Sequence, residues 1–229
     1  MFNLLLWLSE ITSTQEFLKE KNLPLWSVVV ANRQTAGRGR LGRVWHSSEG
    51  GLYLSLSLPT GLRDETTIPL LIAGAVADYL KSLGFMPAIK WVNDVYLQGK
   101  KVCGVLTERL KDRLLVGIGI NLNQESFPEG LEAVSLKMVS GRNFEKVDFL
   151  LGLLEFLWKN IERLREEGFS AMREVIESRL LFKGSEVTVY TPQPVVGILQ
   201  GIDKEGSLLL LTHEGVKSFQ VGELTLRPF

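Results

Sequence analysis

Twelve residues, Gln34-Thr35-Ala36-Gly37-Arg38-Gly39-Arg40-Leu41-Gly42-Arg43-Val44-Trp45, contain three glycines, three arginines and a tryptophan, and their flanks restrict the fold. Before them stands the β-branched run Ser27-Val28-Val29-Val30-Ala31. After His46–Gly51 comes the alternation Leu52-Tyr53-Leu54-Ser55-Leu56-Ser57-Leu58. Alternation of this kind predicts a strand, so a glycine-rich loop is expected to join two strands. Gly37-x-Gly39-x-x-Gly42 spells the dinucleotide fingerprint, but that fingerprint works by setting a pyrophosphate at the start of a following helix. No helix pattern follows, and a dinucleotide-binding Rossmann site is rejected. Between Glu20 and Glu49 there is no acidic residue, whereas Lys21, Arg33, Arg38, Arg40 and Arg43 are basic. In a chain of zero formal net charge, this is a local site for an anion, gripped by backbone N–H groups and guanidinium forks. A flexible basic surface loop would explain the glycines and arginines, but not a tryptophan closing the run.

The whole chain, 229 residues long, allows one large domain or one plus a small partner. Its single cysteine, Cys103, excludes an intramolecular disulfide, and no apolar stretch has the length of a membrane span. The apolar run Leu4–Leu8 lacks a basic leader and reads as a strand rather than a signal peptide. A cytoplasmic protein is expected. A sequence pI near 6.8 gives no general reason to expect nucleic-acid binding.

Ser13 or Thr14 can cap a helix to about Lys21. A second helix starts at Thr66 or Thr67, with Pro69 in its first turn, and ends at Gly84. Gln98-Gly99-Lys100 predicts a hairpin turn, Arg113–Asn121 a strand containing Gly117 and Gly119, and Asn121–Leu136 a loop. Val147–Gly168 is the clearest helix, with Trp158 on its core stripe, and a further helix is predicted from Ser170 to Leu181. From Lys183 onward, short strands at Val187–Tyr190, Gly197–Gly201, Ser207–Leu211 and Lys217–Val221 read as a small barrel.

Three motifs stand in order: Gly37-Arg38-Gly39-Arg40-Leu41-Gly42-Arg43-Val44-Trp45; Lys90-Trp91-Val92-Asn93-Asp94 with Lys100-Lys101-Val102-Cys103-Gly104-Val105-Leu106-Thr107-Glu108; and Gly117-Ile118-Gly119-Ile120-Asn121. Together they resemble the biotin protein ligase family, as do Ser13-Thr14-Gln15 and Ala133-Val134-Ser135-Leu136. Val92 stands where the family usually has proline, Gln15 where it has asparagine, and Cys103 where alanine is frequent.

The resemblance implies an α+β fold related to class II aminoacyl-tRNA synthetases. A mixed, mostly antiparallel sheet with flanking helices would occupy residues 1–183, and a C-terminal SH3-like barrel residues 184–229. It implies that biotin and ATP·Mg form biotinyl-5′-AMP, and that a lysine of a biotin carboxyl carrier domain then takes the biotin. By resemblance, Ser13, Thr14, Gln34 and Arg38 bind the ureido ring, while Gly37, Gly39 and Gly104 bring backbone against biotin. Arg40 and Lys101 face the carboxylate–phosphate junction. Arg43, Trp45, Lys90, Asn93 and Asn121 lie on the nucleotide side, and Asp94 serves the transfer step. Alone, Lys101 is a solvated lysine at a turn and Trp45 a core residue; the ordered pattern makes both functional.

No protein ligand is assigned to magnesium. Bifunctional relatives carry an N-terminal DNA-binding segment. The first strand here starts close to Met1, so that segment, and nucleic acid as a partner, are not expected. Relatives can pair through side-by-side sheets, which makes a homodimer one option. A lipoate or octanoate ligase of the same fold and a non-catalytic biotin-sensing module are the alternatives. The missing ureido set of the former and the retained Arg40 and Lys101 weigh against each.

Overall fold

The computed structural model describes residues 1–220 and the backbone of 225–228. Seven strands form the larger sheet: β1 (Leu4–Ile11), β2 (Ser27–Gln34), β3 (Leu52–Pro59), β4 (Ala88–Lys90), β5 (Asp94–Leu97), β6 (Lys100–Arg109) and β7 (Arg113–Ile120). Their order is β1-β2-β3-β7-β6-β5-β4. Only β1 and β2 run parallel, and a parallel pair needs a crossover rather than a tight turn. Helix α1 (Thr14–Glu20) supplies it.

Alternation along the strands sorts side chains between two layers. Val28, Val30, Leu54 and Leu56 join the main core beneath α2 (Ile68–Ser82) and α4 (Lys146–Glu167). Val29 turns the other way, to meet Leu18 of α1 and Leu115. The stripe predicted on α4 is buried from Phe149 to Leu164. Trp158, at its edge, is half-buried and packs edge-on against Phe2 and Trp26.

On the α1 side of the sheet, the register sets small residues next to one another. Gly119 of β7 lies between Tyr53 and Gly104, and Gly117 lies between Ser55 and Leu106. With almost no side chain there, the central strands leave a depression, and α1 and the 35–45 loop wall it in.

Several boundaries differ from the sequence reading. The 121–136 loop is followed by a short helix, α3 (Leu136–Ser140), capped by Ser135. Helix α5 (Ser170–Glu177) ends earlier than predicted. The Arg179 carbonyl and the Leu181 N–H are taken by Ile89, which draws the chain out of the helix and against the sheet.

The C-terminal unit is an antiparallel SH3-like sheet of β8 (Glu186–Tyr190), β9 (Val195–Ile202), β10 (Leu208–Thr212), β11 (Gly215–Phe219) and β12 (Thr225–Pro228), in the order β11-β10-β9-β8-β12. β12 had no counterpart in the sequence reading, and the predicted last strand extended to Val221, which lies outside the described residues.

The two units share a junction. The Trp91 indole donates to the Gly206 carbonyl at 3.0 Å. Gly206, at φ 77°, sits against Thr67, Phe169 and Leu70.

Candidate active site

Above the glycine floor lies one cleft of about 700 Å³. Every predicted site residue except Gly37 lines it. Gly37 is needed for a different reason from the one its motif suggested. A Cβ there would fall 2.3 Å from Ser47 Oγ and 2.5 Å from the Trp45 carbonyl, so its missing side chain lets the loop close on itself. That loop is a folded hairpin. Gly39 N–H donates to Arg43 O at 2.7 Å, Trp45 N–H donates to Gly37 O at 2.9 Å, and Arg38 bridges to Val44.

At one end of the cleft, the start of α1 meets the end of β2. Ser13 caps the helix. The Thr14 N–H and hydroxyl both donate to Gln34 Oε1, at 2.9 and 3.2 Å, and Gln34 Nε2 donates to Ser47 Oγ at 2.9 Å. The Thr14 hydroxyl also lies 2.8 Å from that of Ser55. These groups hold one another in fixed orientation. Gln15, from the same turn, presses its amide oxygen against Gly117, where a Cβ would lie 2.5 Å away. Arg38 is drawn toward α1 by Glu16, at 2.6 Å.

In the middle, two neighbours in the chain hold two cations. Arg40 donates to Asn93 Oδ1 at 3.1 Å, and Asn93 is fixed in turn by donating to the Val105 carbonyl at 2.6 Å. Lys101 pairs with Asp94 at 2.8 Å. Burial pulls the Arg40 guanidinium below its ordinary pKa and Arg43 pulls the same way, while the Asp94 charge opposes them.

The indole of Trp45 covers the floor. A Cβ at Gly119 would fall 2.4 Å from it, and one at Gly104 2.8 Å. The ammonium of Lys101 stands 5.1 Å from its ring centroid, within cation–π range. Lys90 is placed similarly over Tyr96, at 5.6 Å. Burial, with Asp94 and Glu132 nearby, pushes the Tyr96 phenol up to about 12. Asn121 closes this side, donating to the Lys101 carbonyl at 3.2 Å.

Sequence reasoning missed Ser47, Tyr53, Ser55, Glu16 and Gln124. The first three meet the site only through strand register and loop closure. Gln124 stands three residues beyond Asn121 with no motif to mark it.

Comparison with known proteins places this architecture. The profile of the biotin/lipoate A/B protein ligase family matches residues 7–125, and that of the biotin protein ligase C terminal domain matches residues 183–227. This chain belongs to the biotin/lipoate protein ligase family. Among its relatives is the bifunctional ligase/repressor BirA of Bacillus spizizenii, 37% identical over 97% of this chain and 74% of that protein. Biotin--[acetyl-CoA-carboxylase] ligase of Mycobacterium tuberculosis is 32% identical over 80% of this chain and 72% of that one. Biotin protein ligase from Aquifex aeolicus, solved in complex with biotin and ATP, is 40% identical. It superposes with a TM-score of 0.93 and covers all of both chains. No helix among the described residues is long and apolar enough to cross a membrane.

Proposed function

We propose that this protein joins biotin to ATP as biotinyl-5′-AMP and then transfers the biotin to a lysine of a biotin carboxyl carrier domain. The observation that carries the reading is the pair of cations, Arg40 and Lys101, held by the adjacent Asn93 and Asp94 at the centre of one cleft. In the first step a biotin carboxylate oxygen attacks the α-phosphorus. The bond from that phosphorus to the β-bridging oxygen breaks, and pyrophosphate leaves with the electron pair. Two negative groups must meet. At about 4 Å and an effective dielectric of 20, unit charges repel by about 4 kcal/mol, which two fixed cations are suited to offset. Magnesium enters with the ATP phosphates, and no protein ligand is assigned to it. In the second step the neutral carrier amine attacks the acyl carbon, AMP departs, and the amine's proton is lost to solvent.

Within this reading Ser13, Thr14, Gln34 and Arg38 receive the ureido ring, and Gly39 and Gly104 line the biotin side of the cleft. Arg43, Trp45, Lys90, Asn93 and Asn121 serve the nucleotide, and Asp94 orients the incoming lysine. Residues 1–183 form the biotin- and ATP-binding unit and residues 184–229 the SH3-like unit. A lone cysteine suits a reducing compartment, and the cytoplasm is the proposed location.

The matched family also includes lipoate ligases, but the interlocked Thr14–Gln34 end of the cleft offers the polar groups that a cyclic urea uses and a plain acyl chain does not. Incubation with ATP labelled at the α-phosphate and either biotin or lipoate tests the choice. Labelled biotinyl-adenylate is expected. Label only with lipoate, or with neither acid, would overturn the proposal.

A further inference from the structure

Behind the nucleotide side of the cleft runs a buried line of hydrogen bonds whose polarity is set at both ends by backbone carbonyls. At one end the Tyr53 hydroxyl donates to the Ser48 carbonyl at 2.6 Å. A carbonyl can only accept, so the phenolic oxygen is left to accept, and it does so from Gln124 Nε2 at 3.2 Å. The same nitrogen lies 3.5 Å from Asn121 Oδ1. At the other end Asn121 Nδ2 donates to the Lys101 carbonyl. Reversing either amide would bring acceptor against acceptor. Tyr53, Gln124 and Asn121 are 1%, 4% and 3% exposed, so water does not compete for these contacts. Space for the line is built in. A Cβ on Gly51 would fall 2.0 Å from the Tyr53 hydroxyl and 2.7 Å from Gln124 Nε2. Ser135 pins the Gln124 backbone by donating to its carbonyl at 2.6 Å. The Gln124 side-chain oxygen is buried with no partner in the protein, so its amide nitrogen is the end that the line engages.

We infer that Gln124 and Tyr53 are positioning residues that lock the Asn121 amide in one orientation, with an N–H presented to the nucleotide. One of the two Asn121 N–H groups goes to the Lys101 carbonyl, and the Asn121 oxygen faces the Gln124 amide nitrogen. The second N–H remains for a ligand, so the base bound there must present an acceptor to it. This rests on the nucleotide-side role proposed for Asn121.

The test is steady-state adenylate formation with ATP and with deaza-adenosine triphosphates that each lack one ring nitrogen. In the native enzyme one analogue is expected to raise KM about tenfold over ATP, the loss of one hydrogen bond to the base. Gln124→Met, which has similar bulk but no donor, and Gln124→Glu, which has only acceptors, are each expected to raise the KM for ATP about tenfold. Both should bring the analogues within about twofold of ATP and leave kcat and the KM for biotin unchanged. Tyr53→Phe should do the same more weakly. Gln124→Met also removes a buried orphan oxygen, so its melting temperature should not fall. A merely structural role would move melting temperature and leave the analogue preference intact. Asn121→Ala separates the two readings. If it leaves the KM for ATP unchanged, the nucleotide role of Asn121 fails and this inference fails with it. If it raises that KM while the Gln124 variants keep native KM and native analogue preference, only the orientation by Gln124 is overturned.

Discussion

At the scale of single residues, the site is organised by competition for Lys101. Its ammonium is held by Asp94 on one side and by the face of Trp45 on another, so in the proposed reaction an arriving biotin carboxylate must replace or share an existing partner. Asp94→Asn removes that partner while keeping the shape. Adenylate formation should change by less than about threefold, the scale of one exposed-to-intermediate ion pair, and transfer to the carrier should slow by at least about tenfold through lost orientation of the amine. Single-turnover assays of the two steps would settle it, and equal losses in both would move Asp94 to ligand binding. Arg40→Gly deletes a charge that Asn93 holds over the cleft. It should release biotinyl-adenylate and so increase labelling of bystander lysines, with little change in melting temperature; labelling confined to the carrier would count against it. Arg40 and Lys101 were legible because their motifs are contiguous. Tyr53 and Gln124 were not: seventy-one positions separate them, and nothing local in either stretch marks a partner. Gly37 was legible as a glycine that matters, but its reason, the close approach of Ser47 and Trp45, exists only in the folded loop.

At the scale of elements, the 35–45 loop is a hairpin whose tip carries Leu41 at φ 56° and Gly42 at φ 71°, with Leu41 exposed. Three arginines repel one another along it, and Arg38 is ion-paired with Glu16 at 2.6 Å. Binding of an anion should therefore tighten it. Limited trypsin cleavage at Arg38, Arg40 or Arg43 is expected to slow about tenfold or more with biotin and ATP present. Equal rates with and without ligands would show that the hairpin does not respond. The strands were read well because alternation survives in the sequence wherever one strand faces two unlike layers. Helix α3 and the end of α5 were not. Five residues give too little periodicity to see α3, and α5 is stopped by a bridge to Ile89, some ninety positions away, rather than by any breaker of its own.

At the scale of the whole molecule, a charged knot joins the two units. Glu177 pairs with Lys183 at 2.5 Å and Arg173 at 3.1 Å, and accepts the Ile202 N–H of β9 at 3.3 Å. Burial works to raise its pKa, but the Lys183 hydrogen bond, the Ile202 N–H and the two cations outweigh it, and the carboxyl sits below its ordinary value. A carboxyl lowered on folding contributes stability above its unfolded pKa and loses it as pH falls through the folded value. Glu177→Gln should therefore cost about 1–2 kcal/mol near neutral pH, and the gap from the native protein should close in acid below the usual carboxylate range. A constant gap in urea unfolding from about pH 7 to about pH 3 would remove Glu177 from the account. The Trp91 indole, reaching out of the motif that carries Asn93 and Asp94 to a carbonyl in a C-terminal turn, has an engineering consequence. The two units are not interchangeable parts. A chimaera that borrows its C-terminal unit from a relative inherits a different Asp203–Ser207 turn, and unless that turn sets a carbonyl at the depth of Gly206, the graft can fold well and still leave the Lys90–Asp94 motif unsupported.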